Sequence, residues 1–392
     1  MSKSYKTHNA IRKLMAIFIS AALLTGIVPQ ASASIRDGAT IQVIAEQAMT
    51  YPTTTRTNVP HPRYYPLPKG TKDTVVGNRI SYTRRGETFH YYNLASGVRI
   101  NADDIEAIAP ATLENEIGGM RISREGNFTY VTLRMSEQVS YKVVNQAGSA
   151  ERKISFTFAN TIAESGSRSY DTGMFERFSW HEDTLTLYIR ESNAFWGYEA
   201  YYEGRNLVFK FRHNPGSIEH ARIAIDAGHG GRDRGAPGRN PEFHEAEINR
   251  LIAQELAKEL TNRGATVTVI KGENRDGHWR RERAETWNAD LLISIHCNSA
   301  QNRNATGTEV YFFHGFNGNT ASRIARETSR SLESNNRGAK VSYYNITLSS
   351  QMRSVLIETG FMSNQEEYRK LIQRRYQQAI AKGIADAVER SF

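Results

Sequence analysis

From Ala221 to the C-terminus, short apolar runs alternate with helical patterns, and this alternation constrains the fold more than any other feature. The apolar runs predict five strands: ARIAIDAG, ATVTVI, ADLLISIH, GTEVYFF and SVLIET. After the first run, EAEINRLIAQELAKELTNRG carries apolar residues at the i, i+3, i+4 spacing of an amphipathic helix, with a glycine at its end. Later helical patterns are GNTASRIARETSRSLES and NQEEYRKLIQRRYQQAIAKGIADAVER. The alternation predicts an α/β domain at residues 220–392, with a mostly parallel sheet covered by helices on both faces.

The preceding half of the chain predicts β-structure. Runs such as FTYVTLRM, TLTLYIRE and NLVFKFRH are rich in β-branched and aromatic residues, and turn signals separate them. They indicate two β-rich modules, at 38–110 and 111–215, followed by a linker HNPGS at 213–217. LASGVRINADDIEAI in the first module resembles the end of an SH3-like barrel. Neither module shows a catalytic constellation, so we expect the chemistry to lie in the α/β domain.

The N-terminal segment is typical of a secretory signal peptide. Four basic residues precede the 15-residue apolar run LMAIFISAALLTGIV, and ASA at 31–33 offers a cleavage site. A retained membrane anchor is the alternative, but a spanning helix needs about 20 apolar residues. We therefore predict that residues 1–33 are removed. No second run approaches that length, so we expect no membrane association after cleavage.

Composition limits the partners of the exported chain. Removal of the four basic residues of segment 1–33, which has no acidic residue, lowers the net charge from +9 to +5. Nucleic acid is disfavoured, because the chain is exported and lacks a basic–aromatic recognition motif. The chain has one cysteine and hence no intramolecular disulfide, so its cores or a metal must hold the fold.

Four polar residues lie at the ends of predicted strands or just beyond them. In parallel α/β sheets, ligands bind at the carboxyl ends of the strands, which makes such positions candidates for a site. His229 follows IDAG, His296 ends LLISI and Glu358 ends SVLI. Glu245 opens the long helix that follows the glycine-rich loop. Two histidines and a glutamate are a three-ligand set of the kind that binds catalytic zinc, and a further carboxylate can accept a proton from the attacking water.

Each of these residues also has a structural interpretation. A single histidine after a strand is more often structural, and Glu245 alone is a favourable charge in the first turn of a helix. Glu358 is harder to explain in this way, because burying an unpaired charge is costly. The glycines of GHGGRDRGAPG do not match the phosphate-binding pattern GxxxxGK(S/T), which disfavours nucleotide binding.

Five motifs, taken in order, resemble a known family. IDAGHGGRDRGAPG, EAEIN, ISIHCNS, GTEVYF and VLIETGFMSN follow one another over about residues 222–388. This set resembles the catalytic domain of the zinc-dependent N-acetylmuramoyl-L-alanine amidases of type 3, which act on the cell wall. The resemblance implies that His229, Glu245 and His296 bind one Zn²⁺ and that Glu358 is the catalytic carboxylate. It also implies cleavage of the amide between the lactyl group of N-acetylmuramic acid and the L-alanine of the stem peptide.

Neighbouring residues offer rival assignments. The family often has alanine after the second histidine, and Cys297 at this position invites a nucleophile interpretation. Because neighbours in a strand point to opposite faces, a ligand at His296 turns Cys297 away from the metal. Two further glutamates lie near Glu245, and the pattern E-x-(D/E)-(I/V)-N selects Glu245. His244 is an adjacent rival ligand with no counterpart in the family pattern.

The sequence thus predicts a secreted peptidoglycan hydrolase that acts in the cell wall and has peptidoglycan as its partner. The modest positive charge also suits anionic wall polymers. Three alternatives remain: a zinc peptidase cutting within the stem peptide, a non-catalytic wall-binding protein on an amidase-like scaffold, and a cysteine hydrolase centred on Cys297. A chain that begins near His213 is expected to fold and to cleave soluble muropeptides, because the four candidate residues lie beyond that point.

Overall fold

Strands dominate the first half of the described chain, and strands alternate with helices in the second. The computed structural model describes residues 34–53, 65–84, 86–144, 152–191, 194–238 and 243–392, so the predicted signal peptide at 1–33 lies outside the described residues. Within these ranges, no helix has the length and apolar content needed to cross a bilayer.

The strands are β1 (Thr40–Val43), β2 (Gln47–Pro52), β3 (Pro66–Pro68), β4 (Lys72–Arg84), β5 (Glu87–Leu94), β6 (Val98–Asn101), β7 (Ile105–Ala107), β8 (Asn115–Glu125), β9 (Phe128–Met135), β10 (Tyr141–Val144), β11 (Lys153–Phe158), β12 (Thr161–Ile162), β13 (Gly166–Ser169), β14 (Phe175–His181), β15 (Thr184–Ile189), β16 (Phe195–Glu203), β17 (Asn206–His213), β18 (Arg222–Ala227), β19 (Thr266–Ile270), β20 (Leu291–Asn298), β21 (Thr308–Phe312), β22 (Asn336–Val341) and β23 (Arg353–Phe361). The α-helices are α1 (Glu245–Asn262), α2 (Gly277–Thr286), α3 (Gly318–Leu332), α4 (Gln365–Leu371) and α5 (Arg374–Glu389).

Strands β1 to β7 form one sheet in the order β3-β2-β6-β5-β4-β1-β7. Its pairings are antiparallel. Ile41 and Val43 of β1 are buried, whereas Gln42 between them is partly exposed, which follows the two-residue period of side chains along a strand. The sheet lies within the predicted module 38–110 and makes it β-rich, and the resemblance to an SH3-like barrel stays a prediction.

Two five-stranded sheets follow, with the orders β10-β11-β15-β14-β13 and β12-β8-β9-β17-β16. Their inward side chains meet in an aromatic core, where the rings of Phe156 and Phe209 have centroids 4.2 Å apart. Buried residues of the first sheet, such as Ile41, belong to the same apolar cluster. The strands before residue 214, which we call the β half, therefore share one core, and the division at residues 110 and 111 stays a prediction.

The rest of the chain, which we call the α/β half, is built on a six-stranded sheet in the order β19-β18-β20-β23-β21-β22. Strand β18 is parallel to β19 and β20, and β20 is parallel to β23. Strand β21 is parallel to β22 but antiparallel to β23. The sheet is therefore mixed. A loop without a helix joins β20 to β21, and a parallel return would need a long crossover connection.

Alternate residues of the central strands belong to two different cores. Ile223 and Ile293 pack in a cluster that also contains residues of α1, α3 and α5. Ala224 and Leu292, their neighbours in the chain, pack in a second cluster with Ala284 of α2. Both sides of these strands are thus buried, which explains why the strands have continuous apolar sequences instead of alternating ones.

At the junction between the two halves, side chains of the β half cover and contact charged side chains of the α/β half. The Nη1 atom of Arg212 donates to Asp290 Oδ1 at 2.7 Å, and both residues are buried. The guanidinium of Arg353 lies 4.2 Å from the centroid of the Trp196 ring. Phe392 stacks on the same ring with a centroid distance of 4.9 Å. The chain from residue 35 to 392 packs as one compact unit, and the linker at 213–217 stays a prediction.

Candidate active site

Three adjacent strands and one helix bring the predicted functional residues to one edge of the mixed sheet. His229 follows β18 after a single glycine, while His296 lies in β20 and Glu358 in β23. His296 and Glu358 are directly opposite each other in the pairing of these two strands. Glu245 is the first residue of α1. The rule that ligands bind at the carboxyl ends of strands therefore selects residues that the fold does place together.

His229, Glu245 and His296 form a cluster with the dimensions of a metal site. Glu245 Oε1 lies 3.1 Å from His229 Nε2 and 3.0 Å from His296 Nδ1. The candidate ligand atoms all lie within 4.8 Å of one another. Two ligands of a tetrahedral zinc ion lie about 3.4 Å apart, because each metal–ligand bond is about 2.1 Å long. The three side chains therefore fit one zinc ion with small adjustments.

Carboxylates orient His229 and favour positive charge in the cluster. Asp233 Oδ2 accepts a hydrogen bond from His229 Nδ1 at 2.8 Å, which leaves Nε2 facing Glu245. Burial alone would lower the pKa of His229, but Glu245 and Asp233 outweigh it and raise the pKa to about 9. Burial would likewise raise the pKa of Glu245, but hydrogen bonds from His229 and His296 hold it well below its usual range. Binding of a metal cation replaces the protons that these groups share.

Two glycines lie so close to the cluster that a side chain at either position would occupy the space of its ligand residues. A Cβ atom at Gly228 would lie 2.2 Å from His296 Nε2. A Cβ atom at Gly235 would lie 2.5 Å from Glu245 Oε2 and 2.7 Å from His229 Cδ2. Real Cβ atoms do not approach other atoms so closely, so the backbone can pass the ligands only where no side chain is present.

The buried Arg280 of α2 holds the loop that carries His229. Its Nη2 atom donates to the carbonyl oxygens of His229 and Gly272, both at 2.6 Å. Its Nη1 atom donates to Asp226 Oδ1 at 2.6 Å and to the carbonyl oxygen of Ala227 at 2.7 Å. His229 has φ = +66°, a backbone angle that residues other than glycine rarely adopt. The donors of Arg280 stabilise that backbone conformation.

Glu358 and its neighbour Glu309 are carboxylates with opposite environments. Glu358 Oε2 is shielded from solvent and has no hydrogen-bond partner among the described residues. Burial raises the pKa of Glu358 to about 7, and the charges of Glu245 and Glu309 act in the same direction. Glu309 lies directly opposite on β21. It accepts hydrogen bonds from four side chains: Asn298, Tyr311, Arg337 and Lys340.

The donors around Glu309 keep that carboxylate ionised. Burial alone would raise the pKa of Glu309, but the hydrogen bonds from Lys340, Tyr311 and Arg337 outweigh it and lower the pKa to about 2. Of the two adjacent carboxylates, Glu309 is thus saturated with donors, whereas Glu358 can exchange a proton near neutral pH.

The two rival residues do not join the cluster. The Cys297 side chain is buried in the apolar core, with Sγ 3.1 Å from Thr359 Oγ1. Burial raises the pKa of the thiol well above its usual range, which opposes formation of the nucleophilic thiolate. His244 Nε2 accepts a hydrogen bond from Arg234 Nη1 at 3.3 Å. His296 faces the cluster and Cys297 the core, as strand geometry predicted.

The cluster lines an open cleft of about 490 Å³. Two segments of the α/β half, before α2 and before β23, and the end of β20 with the residue after it form its wall. These wall residues are Arg275, Asp276, Asn298, Ser299, Tyr344, Asn345 and Ile346. The cleft therefore opens the candidate ligand residues and Glu358 to solvent and to a substrate.

The sequence of the α/β half matches a family model and several related proteins. The profile of the N-acetylmuramoyl-L-alanine amidase family matches residues 223–390, which include all four predicted site residues. The uncharacterized protein YqiI of Bacillus subtilis is 35% identical over 181 residues, which cover 44% of this chain and 85% of that protein. The "Putative N-acetylmuramoyl-L-alanine amidase" of Buchnera aphidicola is 33% identical, over 43% of this chain and 95% of its own length. The chain belongs to the N-acetylmuramoyl-L-alanine amidase family.

A crystal structure of an N-acetylmuramoyl-L-alanine amidase from Clostridium difficile 630 is also similar to this chain. It is 30% identical, and the similarity covers 43% of this chain and 94% of that structure, with a TM-score of 0.40. The family match begins at residue 223, so the β half precedes the amidase domain.

Sequence reasoning missed three supporting residues of this amidase. Asp233, which orients His229, lies four residues further on in the same glycine-rich loop and could have been suspected. Arg280 and Glu309 carry no local signal, because their contacts depend on where α2 and β21 lie in the fold.

Proposed function

We propose that this amidase is a secreted, zinc-dependent enzyme that hydrolyses peptidoglycan. The bond cleaved is the amide between the lactyl group of N-acetylmuramic acid and the L-alanine of the stem peptide. One observation carries the proposal: a buried carboxylate oxygen of Glu358, which has no hydrogen-bond partner in the described part of the chain, lies beside a cluster with the dimensions of a zinc site.

His229, Glu245 and His296 would hold the zinc ion, with Asp233 fixing the ring of His229. When bound, zinc lowers the pKa of water and polarises a carbonyl oxygen, which is the chemistry that amide hydrolysis requires. Three protein ligands are typical of catalytic zinc, because they leave a position for water or substrate. Glu245 also contributes a negative charge that balances part of the charge of the cation.

Glu358 would move the proton. Its carboxylate accepts a proton from the attacking water while the water oxygen bonds to the amide carbon. It then delivers the proton to the L-alanine nitrogen as the carbon–nitrogen bond breaks. The products are a lactyl carboxylate on the sugar and a stem peptide with a free amino terminus. A pKa of about 7 suits both steps, since the group must accept and donate at neutral pH.

The predicted signal peptide at 1–33 supports an extracytoplasmic location in the cell wall. Peptidoglycan is then the partner, and anionic wall polymers are a further candidate because the exported chain keeps a net charge of +5, from +9 less four basic residues.

Mass spectrometry of the fragments released from purified peptidoglycan tests the proposal. We expect stem peptides that begin with a free L-alanine amino group, together with sugars that carry an intact lactyl carboxylate. A parallel incubation with a chelator should release neither. Fragments cut between two amino acids would instead identify a zinc peptidase, and the absence of any release would favour a non-catalytic wall-binding protein.

A further inference from the structure

A second groove, of about 730 Å³, lies between the β half and the α/β half. We call it the side groove. One wall comes from the first β sheet, including the 3-10 turn between its strands β6 and β7, and contains Met49, Tyr51, Phe89 and Asp104. The other comes from α2 and the segment before β23 and includes His278, Glu282, Glu285 and Tyr343. Its volume is in the range of about 300–1,000 Å³ that is usual for ligand-binding pockets.

The side groove continues the catalytic cleft. Asp276 and Asn345 line both cavities. Asp276 is the N-cap of α2 and accepts from the backbone N–H of Trp279 at 2.9 Å, while the carbonyl oxygen of Asn345 accepts from Arg281 Nη1 at 2.8 Å. The shared rim is therefore held by hydrogen bonds. A polymer whose reacting bond lies in the cleft can extend into the side groove without leaving the surface.

The two walls of the side groove are tied together by apolar contacts. The rings of Tyr51 and Tyr343, one from each wall, have centroids 6.2 Å apart. Both residues, with Met49, pack on a small cluster formed by Phe313 and Leu348. The two walls are thus packed against each other in the chain without a ligand between them.

The chemistry of the walls fits an uncharged, hydroxyl-rich chain. Three half-buried aromatic side chains, Tyr51, Phe89 and Tyr343, offer apolar faces on which the C–H face of a sugar ring can stack. The side groove also has five carboxylates: Glu46, Asp104, Asp276, Glu282 and Glu285. Carboxylates are strong acceptors for hydroxyl and amide donors. Among the described residues that line the groove, the cationic or protonatable ones are Arg281 and His278. The five carboxylates outnumber them, so this lining would repel a polyanion.

We propose that the side groove binds the glycan strand of peptidoglycan, an uncharged chain of N-acetylated sugars, next to the muramic acid whose amide is cut. This inference rests on the proposed function, because it assumes that the cleft receives peptidoglycan. It assigns a binding role to the first β sheet, whose Phe89 and Asp104 would contact sugar rings beyond the reacting residue.

Binding of an N-acetylglucosamine tetramer to the full chain tests the proposal by isothermal titration. We expect the tetramer to bind, and the variants Phe89→Ala and Asp104→Asn each to weaken binding by about three- to tenfold. The matched controls are Tyr170→Ala, an aromatic residue that is 50% exposed outside the groove, and Asp103→Asn, the exposed neighbour of Asp104. Asp104→Asn keeps the size of the side chain, so it reports on the groove even if Phe89→Ala fails to fold.

Three results would overturn the proposal. The first is that the tetramer does not bind, and the second is that it binds all four variants with equal affinity. The third is that a sugar-free stem tetrapeptide, or polyglutamate, binds the wild-type chain and binds Phe89→Ala and Asp104→Asn more weakly. The last result would assign the groove to peptide or to anionic polymer.

Turnover separates this inference from the proposed function. For the wild-type chain and each variant, release from intact peptidoglycan is compared with cleavage of a single disaccharide muropeptide. We expect the ratio of the two rates to fall in Phe89→Ala and to be unchanged in Tyr170→Ala. A wild-type chain that binds the tetramer but cleaves neither substrate would refute the proposed function alone.

Discussion

The two halves of the molecule differ in where their buried charges lie. The β half packs aliphatic and aromatic side chains, among them Phe156 and Phe209, into one core and buries scattered charges such as Asp73 and Arg99. In the α/β half, the buried charges Asp226, Glu245 and Arg280 are gathered along the cleft. Burying a charge costs free energy unless partners compensate it. Charges buried around the cleft therefore indicate chemistry, whereas those at the junction connect the halves, and substitutions can separate these two roles.

The largest effect is expected from the two histidines proposed to bind zinc. His229→Ala or His296→Ala removes one of three ligands, so we expect loss of bound zinc and of measurable turnover, with the fold retained. The measurements are zinc content, circular dichroism and muropeptide cleavage. The control is His244→Ala, the adjacent histidine outside the cluster, which should keep zinc. Unchanged zinc in both ligand variants would refute the assignment.

Glu358→Gln should reduce turnover by a factor of about 10²–10⁴, the usual contribution of general acid–base catalysis. The amide has nearly the same size as the carboxyl group but cannot accept the proton. Zinc content and melting temperature are expected to stay near wild type. Glu366→Gln, a carboxylate whose side chain is 81% exposed, is the matched control. A loss of zinc would instead make Glu358 a ligand, and near-normal turnover would exclude it as the base.

At the junction, we expect an effect on stability and not on chemistry. Arg212→Met leaves Asp290 buried without its ion-pair partner, which should lower the free energy of unfolding by about 3–5 kcal/mol. Lys210→Met on the same strand breaks a partly exposed pair, with atoms 3.7 Å apart, and should cost at most about 1 kcal/mol. Urea unfolding measures both. Equal losses in the free energy of unfolding would mean that the buried pair at the junction stabilises the chain no more than the partly exposed pair does.

The junction also sharpens the expectation for a chain that begins near His213. Such a chain lacks Arg212 and Trp196, which contact Asp290 and Arg353 of the α/β half. It keeps all four candidate residues and the six-stranded sheet, so we expect cleavage of muropeptides at a lower melting temperature than the full chain.

Acid should destabilise each half through one buried histidine. Burial lowers the pKa of His213 in the β half and of His314 in the α/β half to about 4. In the unfolded chain histidine has a pKa of about 6.5. Between these values the unfolded chain binds protons that the folded chain does not, so stability falls as the pH falls from 6.5 to 4. The loss is on the order of 3 kcal/mol per histidine.

Urea unfolding at pH 7 and at pH 4.5 measures this dependence. His314→Gln should reduce the difference between the two pH values, and His220→Gln, an exposed histidine, should leave it unchanged. If both variants behave like the wild-type chain, groups other than His314 cause the acid sensitivity.

The smallest effect is expected from Cys297→Ser. The thiol packs in the apolar core beside Thr359, so the hydroxyl should lower the melting temperature slightly and leave most of the turnover. Cys297→Ala provides the comparison without a polar atom. Loss of turnover in both variants with zinc still bound would revive the cysteine-nucleophile hypothesis.

Local pattern was enough to predict the elements and the candidate ligands. Helix α1 follows from the spacing of Ile248, Ile252 and Leu256, all of which are buried. The positions of His229 and His296 follow from strand ends and from the family resemblance. What could not be predicted depends on contacts between distant segments. No local pattern brings Arg280 to the carbonyl oxygen of His229, 51 residues away.

The same limit applies to the sheet and to the junction. The reversed direction of β21 depends on a connection without a helix, which an apolar run does not reveal. The linker pattern at 213–217 is typical of a flexible boundary, yet Arg212 beside it is bound to Asp290, 78 residues further along. Turn residues predict the conformation of the local backbone, but they do not predict which distant residues their neighbours contact.

The two glycines beside the cluster affect how pseudoenzymes can be recognised in this family. A relative could keep all four functional residues and still lose the metal if a side chain replaced Gly228 or Gly235, because the Cβ atom would occupy the space of a ligand. Counting ligands would then classify an inert protein as an enzyme. A sound criterion for activity in such chains must therefore include the residues that leave space as well as those that bind.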